Sequence, residues 1–373
     1  MANRGERFDP HVHTICDLKR LGSAQLPQMY REYYNEGAMD LLTLNDNEAA
    51  YRRYMIKPRI FRNVANVDTS CEIFGQRVSM PLGFSPAAMH RLAHPEGELA
   101  VSRAAAKYNI AMGLSSYATE PLESVIAEGG SNPYAMQLCV LRNREISHQM
   151  IRRAEEAGYK AILVSVDTPL LGRRLNEHRN EFTLPEDMGW PNLLSDGKKE
   201  LTGRSSSEDS DTDFDPTLTW ETAIPWLRQQ TKLQIWLKGI TAAEDVRLAI
   251  THGVDGILVS NHGGRQLDGQ PATLDSLREC AEAAGGKIPI AVDGGIRRGS
   301  DVFKALALGA THCFVGRIPI WGLYNGQAGV ELALKIMHHE LKQTMALAGC
   351  RTLKDITRSH VTFLGQNGAL AKL

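Results

Sequence analysis

The sequence predicts a closed (β/α)8 barrel, the TIM-barrel architecture, and three observations predict it. Eight short apolar, β-branched runs recur along the chain, and amphipathic helical patterns separate them. Strands that are apolar almost throughout, alternating with helices, imply a parallel sheet covered by helices. No G-x-G-x-x-G turn follows the first run, as an open doubly wound sheet would normally carry, and eight units are enough to close a ring.

The elements follow in order. Residues 1–79 are expected to form a helical segment packed on the barrel, with "LPQMYREYYNEGAMD" (26–40) as one helix. The barrel, residues 80–350, begins with "MPLGFSPAA" (80–88), "AMGLSSYAT" (111–119), "YAMQLCV" (134–140) and "KAILVSVDTP" (160–169). It continues with "LQIWLKG" (233–239), "DGILVSNHGG" (255–264), "IPIAVDGG" (288–295) and "HCFVGRI" (312–318). Helices are expected over 95–109, 143–158 and 242–253; Pro95 is a good start, and Gly158 and Gly253 are good stops. One connection is anomalous. Residues 185–216 form a long loop after strand four, and its "SSSEDSDTDFD" has five acids in eleven residues. Such a stretch cannot form a core, so the loop reads as a lid with a disordered acidic centre. Residues 351–373 are expected to be a tail.

Composition excludes several functions. Formal net charge is −1, from 42 basic and 43 acidic side chains, so nothing draws the protein to nucleic acid or an anionic membrane. The apolar runs are only strand-length, and "MANRGERFDPHVH" lacks the apolar core of a signal peptide. Cys16, Cys71, Cys139, Cys280, Cys313 and Cys350 form no C-x-x-C pair and read as free thiols of a reducing compartment. "HVH" (11–13) has no carboxylate or thiol cluster beside it, so no metal site is expected.

The carboxyl ends of the strands carry the chemistry of such a barrel. There the chain places Ser115, Gln137, Ser165, Asp167, Lys238, His262, Arg265, Asp293 and Arg317. One polar strand end is ordinarily a cap or a turn; nine around one ring indicate a site. "SNHGGRQLD" (260–268) is the densest of them, since His262 and Arg265 end a buried strand and burial penalises both unless they are paired.

With that ring laid out, the chain resembles the FMN-dependent α-hydroxy-acid oxidase and dehydrogenase family, which includes glycolate oxidase, lactate oxidase and the flavin domain of flavocytochrome b2. The similarity runs from about residue 16 to about residue 362. It rests on "SNHGGRQLD", "VDGGIRRGSDVFKALALGA" (292–310), "VDTPLLGRR" (166–174), "MHRLAHPEGE" (89–98) and "LKG" (237–239) together.

The resemblance implies a role for each residue. His262 would be the base, taking either the Cα proton or the hydroxyl proton of the substrate, and Asp167 would hold its other ring nitrogen. Arg265 and Arg174 would clamp the substrate carboxylate as bidentate donors, with the Tyr33 hydroxyl beside them. Lys238 would sit near the flavin N1 and C2 carbonyl, where charge accumulates on reduction. Ser115, Gln137 and Ser165 would bond the flavin edge, and Pro86, Ala87, Ala88, Ser260 and Asp293 would complete the cofactor site. Arg297 and Arg317 would supply charge to the phosphate, Gly294 and Gly295 would let the backbone approach it, and Gly316 would leave room.

Two departures stand out. The third strand ends "QLC", so Cys139 lies at a substrate-facing position where the family's oxidases usually have tyrosine, and Trp236 is bulkier than usual beside Lys238. The expected function is oxidation of an L-2-hydroxy acid to the 2-keto acid with FMN, oxygen being reduced to hydrogen peroxide. An altered pocket leaves oxidation of an α-amino or cyclic imino acid as the alternative, and a non-catalytic flavin-binding protein ranks below both. The resemblance also implies a small carboxylic acid as substrate and a homo-oligomer, a tetramer. The ending "AKL" approximates a peroxisomal address, with the cytoplasm as the other expectation.

Overall fold

The computed structural model describes residues 7–194, 200–201, 213–365 and 370–371. Eight parallel strands close the barrel: β1 (Leu82–Phe84), β2 (Met112–Leu114), β3 (Tyr134–Leu138), β4 (Ala161–Ser165), β5 (Gln234–Ile240), β6 (Gly256–Val259), β7 (Ile290–Val292) and β8 (His312–Val315). Pairing of β8 with β1 completes the ring. In seven of the eight, the predicted run extends past the paired strand at its carboxyl end. The excess residues supply much of the site.

Helices α1 (Ile15–Gln25), α2 (Gln28–Asn35) and α3 (Leu42–Arg53) precede the barrel. The helix predicted over 26–40 is therefore shorter, and it is one of three. The outer layer comprises α4 (Gly97–Lys107), α5 (Leu122–Ala127) and α6 (Arg144–Ala157), then α7 (Leu175–Arg179) and α8 (Trp220–Gln230) after β4. It ends with α9 (Ala243–Thr251), α10 (Thr273–Ala284), α11 (Gly299–Ala307), α12 (Arg317–Gly322) and α13 (Gly326–Ala348). Helix α6 shows why the sequence folds this way. Asn143 caps it by accepting the Glu145 N–H at 3.0 Å, and Gly158 closes it in the left-handed region. Between them, Ile146, Met150, Ile151 and Ala154 bury one stripe against the barrel.

Inside the barrel, strand alternation makes layers. Ala111, Ala135, Leu163, Trp236, Leu258, Ala291 and Phe314 form an apolar floor, closed below by Phe74. Phe74 lies in the turn between the short antiparallel strands Cys71–Ile73 and Gln76–Val78. Trp236 belongs to this floor, its ring edge-on to Phe74 at 5.1 Å. It does not reach the pocket above, so the expected influence on substrate range falls to other residues.

The segment expected as a C-terminal tail is a structural element in part. Val361–Leu364 pairs antiparallel with Tyr54–Ile56, and Tyr54 meets Phe363 edge to face at 5.4 Å. The long loop after β4 is held at two points: Trp190–Leu194 pairs with Glu200–Leu201, and Asp215 N–H donates to Val140 C=O at 3.0 Å. Its centre, 202–212, lies outside the described residues, as do Lys372 and Leu373 of the "AKL" ending. Among the described residues, no helix is long and apolar enough to cross a membrane, and no group of three or more His, Cys, Asp or Glu is placed to hold a metal ion.

Candidate active site

A cavity of about 1150 Å³ opens at the carboxyl end of the barrel, above the floor. It exceeds the usual range for a single small ligand, so it can take a mononucleotide and a small acid together. Pro86, Ala87, Ala88, Ser115, Gln137 and Ser165 line its inner wall, and Tyr33 enters from α2.

At the centre, His262 Nδ1 lies 3.2 Å from each carboxylate oxygen of Asp167. The histidine is held at φ +57°, in the left-handed region where a side chain is strained. Ser260 stabilises that turn by accepting the His262 N–H at 3.1 Å. Ser260 is fully buried beside the histidine. Burial lowers the His262 pKa, and the Lys238 charge lowers it further, against the opposing pull of Asp167. Burial raises the Asp167 pKa, but His262 and Lys238 outweigh it, and the carboxyl stays below its ordinary value. Asp167 is thus an anion, and its neighbour a neutral imidazole ready to accept a proton.

Lys238 owes its place to the next residue. Gly239 makes a bulge in β5, where pairing with β6 slips between Lys238 and Ile240. Its φ is +112°, and a Cβ there would lie 2.6 Å from Asp167 Cγ. The "LKG" motif therefore brings cation, carboxylate and imidazole together. Lys238 is buried, and no hydrogen-bond acceptor for its ammonium is recorded among the described residues.

On one side of His262 stand two arginines. Arg265 donates to the carbonyls of Tyr33 and Glu36, the latter at 3.2 Å, and its guanidinium lies 4.6 Å from the centre of the Tyr33 ring. Arg174 donates from Nε to Arg265 C=O at 3.3 Å. Burial and the neighbouring charge of Arg265 depress the Arg174 pKa to about 10. Tyr33 is stacked on Phe182, 4.7 Å between ring centres. Cys139 lines the same cavity as a buried thiol, receiving hydrogen bonds from Gln137 Nε2 at 3.1 Å and Thr168 Oγ1 at 3.7 Å.

A further arginine lies close to Arg265, with which it shares the Glu36 carbonyl as acceptor. Arg317 donates to three backbone carbonyls, of Tyr34, Glu36 and Gly263, at 2.8–3.1 Å, and among the described residues it has no ion pair. Burial, then Arg265 and Arg297, push its pKa down to about 9. Arg297 also lines the cavity, but Glu48 neutralises it at 2.8 Å. Gly294 and Gly295 line this wall of the cavity. A Cβ on Gly295 would lie 1.9 Å from Asn47 C=O, so glycine there also admits α3.

Comparison with known proteins decides the family. The model for FMN-dependent dehydrogenase matches residues 22–363. The chain belongs to the FMN-dependent α-hydroxy-acid oxidase family. Oxidase FUB9 of Fusarium oxysporum f. sp. lycopersici is 49% identical over 364 residues, covering 97% of this chain and 94% of that protein. Human 2-hydroxyacid oxidase 1 is 45% identical, covering 94% and 97%, and spinach (Spinacia oleracea) glycolate oxidase 44%, covering 94% and 95%. The crystal structure of mandelate oxidase with benzoyl-formic acid superposes with a TM-score of 0.85 at 36% identity, covering 97% of this chain and 100% of that one. This α-hydroxy-acid oxidase family member is an oxidoreductase, and FMN is its cofactor.

Four observations of the site fit that cofactor. Among the described residues, Lys238 is a buried cation with no acceptor for its ammonium, and Asp293 Oδ1 is a buried acceptor without a donor. Arg317 is a buried cation that makes no direct ion pair among the described residues. A Cβ on Gly316 would meet no protein atom nearer than 3.9 Å, which leaves room for a phosphate beside Arg317. Sequence reasoning missed Glu177 and Phe182, which line the cavity beside the arginines and Tyr33. "LNEHRNEF" looks like a solvated helix, and only the fold turns it inward.

Proposed function

We propose that the protein oxidises a 2-hydroxy acid carrying a bulky apolar substituent to the 2-keto acid, with oxygen as the final acceptor. The observation that carries this is the Asp167–His262 pair, set at 3.2 Å beside Arg174 and Arg265 in one cavity. The arginines bind the substrate carboxylate and orient its Cα, because a guanidinium fork matches a carboxylate. His262 Nε2 takes the substrate proton. Asp167, already ionised, stabilises the imidazolium that forms. Tyr33 closes the carboxylate side and excludes water. Bound FMN supplies the two-electron acceptor, and Lys238 offers a fixed cation where negative charge develops.

The size preference is supported by two features. Cys139 is small at a position lining the cavity, and the cavity carries an aromatic patch, with Trp190 and Phe214 both edge-on to Tyr117, at 5.4 and 6.4 Å. Anaerobic reduction of the bound flavin by a panel of acids tests the proposal. We expect 2-hydroxy acids with aromatic or branched side chains to bleach the flavin fastest, ahead of glycolate and lactate. Faster bleaching by 2-amino or cyclic imino acids would overturn the hydroxy-acid reading. Release of FAD instead of FMN on denaturation would count against the cofactor site itself.

A further inference from the structure

Glu177 stands where an anion is least expected to be resident. Its Oε1 lies 3.3 Å from Arg265 Nη2 and 3.4 Å from Arg174 Nη1, bridging both guanidiniums. All three side chains keep only 11–14% of their surface exposed, so the contact is not diluted by water. Nor is the carboxylate on a free arm. Its short helix α7 is tied to α2 on both sides: Asn176 Nδ2 donates to Glu36, and Asn180 Nδ2 donates to Glu32 Oε2 at 2.8 Å. Stacking of Phe182 on Tyr33 adds a third tie.

We propose that Glu177 is a specificity-determining residue: a built-in carboxylate that shares the arginine clamp with the substrate and sets its charge. The inference rests on the proposal that Arg174 and Arg265 hold the substrate carboxylate. Two guanidiniums alone present two positive charges, which favour any small anion and favour a dianion most. With Glu177 in place the trio carries a net +1, enough for one carboxylate and no more. A dicarboxylate would bring its second charge against Glu177. A small monoacid would gain little from so weakened a clamp. The acid that gains is a monocarboxylate whose remaining binding comes from the apolar wall of Tyr117, Trp190 and Phe214.

The test is calorimetric titration of the flavin-loaded protein with acetate and with oxalate, which needs no turnover. Coulomb's law at an effective interior dielectric of about 20 makes one charge at this range worth roughly tenfold in affinity or more. In Glu177→Gln we expect oxalate to bind at least tenfold more tightly, and acetate to tighten by a smaller factor. Glu177→Asp retains the charge and should stay within threefold of the parent for both anions. Unchanged or weaker oxalate binding in Glu177→Gln would overturn the proposal, as would an Asp variant that behaves like the Gln variant. If the Gln variant fails to fold, the parent alone decides: a preference of more than tenfold for oxalate over acetate would show that Glu177 does not limit the clamp. Failure of the underlying assignment looks different. Arg265→Lys would then leave the affinity for both anions unaltered.

Discussion

Trp236 and Lys238 stand two residues apart on one strand, face the same interior, and live in different chemistry. Trp236 is packed among Leu163, Leu258 and Phe314 in a dry floor, whereas Lys238 lies in the next layer beside Asp167 and His262. The same step recurs around the barrel, from Ala135 to Gln137, from Leu163 to Ser165, from Ala291 to Asp293 and from Phe314 to Gly316. The floor denies the reactive layer any solvent from below. A charge in that layer is therefore felt strongly by its neighbours, and the ionisation of Asp167 and His262 depends on Lys238. Chemistry and stability divide at one layer boundary, and substitutions on either side of it should have opposite signatures.

The largest effect belongs to the reactive layer. His262→Ala should slow anaerobic flavin reduction by roughly two to four orders of magnitude, the range of a lost general base, with FMN still bound and thermal stability close to that of the parent. Rapid-mixing measurement of the reduction rate checks this. Near-normal reduction would remove His262 from the mechanism.

One layer down the signature inverts. Trp236→Ala should cost about 3–5 kcal/mol of stability, the usual loss for a buried tryptophan, because Gly256 packs directly against the indole and nothing else fills the space. Denaturant titration measures the loss. In the variant that remains folded, KM for the best substrate should not move. A shifted KM would mean that floor and pocket are coupled, and the layer boundary would lose its meaning.

A smaller effect follows from protonation. Burial and Lys238 hold the His262 pKa below the 6.5 of an ordinary imidazole. The base must be neutral, so kcat/KM should be full above that depressed pKa and fall about tenfold per pH unit beneath it. Removing the Lys238 charge should raise the midpoint of that acid limb, because Asp167 then works against burial and Arg174 only. A midpoint that stays fixed in Lys238→Met would assign the shift to burial and Arg174.

How much of this was legible in the sequence follows the same boundary. The eight strands were readable because a buried parallel strand is apolar on both faces, and the polar residues that end each run marked the reactive layer. The ends of the strands were not, because the predicted runs take in polar residues beyond the ladder, as "SNHGG" lies beyond Gly256–Val259. Val361–Leu364 was unreadable: four residues carry no period, and the partner lies some three hundred residues away. Ser260 and Gly295 also serve the fold in ways their motifs do not reveal, Ser260 by accepting the His262 N–H and Gly295 by leaving room for Asn47. Glu177 was missed because its partner Arg265 comes from another strand end, and charge pairing across such distances leaves no local trace.

The smallest effect tests the layer above, where Cys139 meets the substrate. The strand alternates, so Cys139 shares the inward face of Ala135 and Gln137, and it does line the cavity. Burial raises its thiol pKa, so the group is a neutral, weak donor, and it already accepts from Gln137 and Thr168. A tyrosine there would bring a phenol into the cavity as a strong donor to a carboxylate or alkoxide oxygen, and would fill the space the thiol leaves. One added hydrogen bond is worth about 0.5–1.5 kcal/mol net, or roughly two- to twelvefold. Cys139→Tyr should therefore raise kcat/KM for glycolate and lactate within that range and lower it for the bulky acid that the parent prefers. The two changes must be opposite in sign, since one gains a donor and the other loses volume. If both substrates improve, the thiol position gives a donor without steric limit, and the size preference must come from the Tyr117–Trp190 wall instead. If the parent already turns over glycolate as fast as the variant, Cys139 does not set specificity at all.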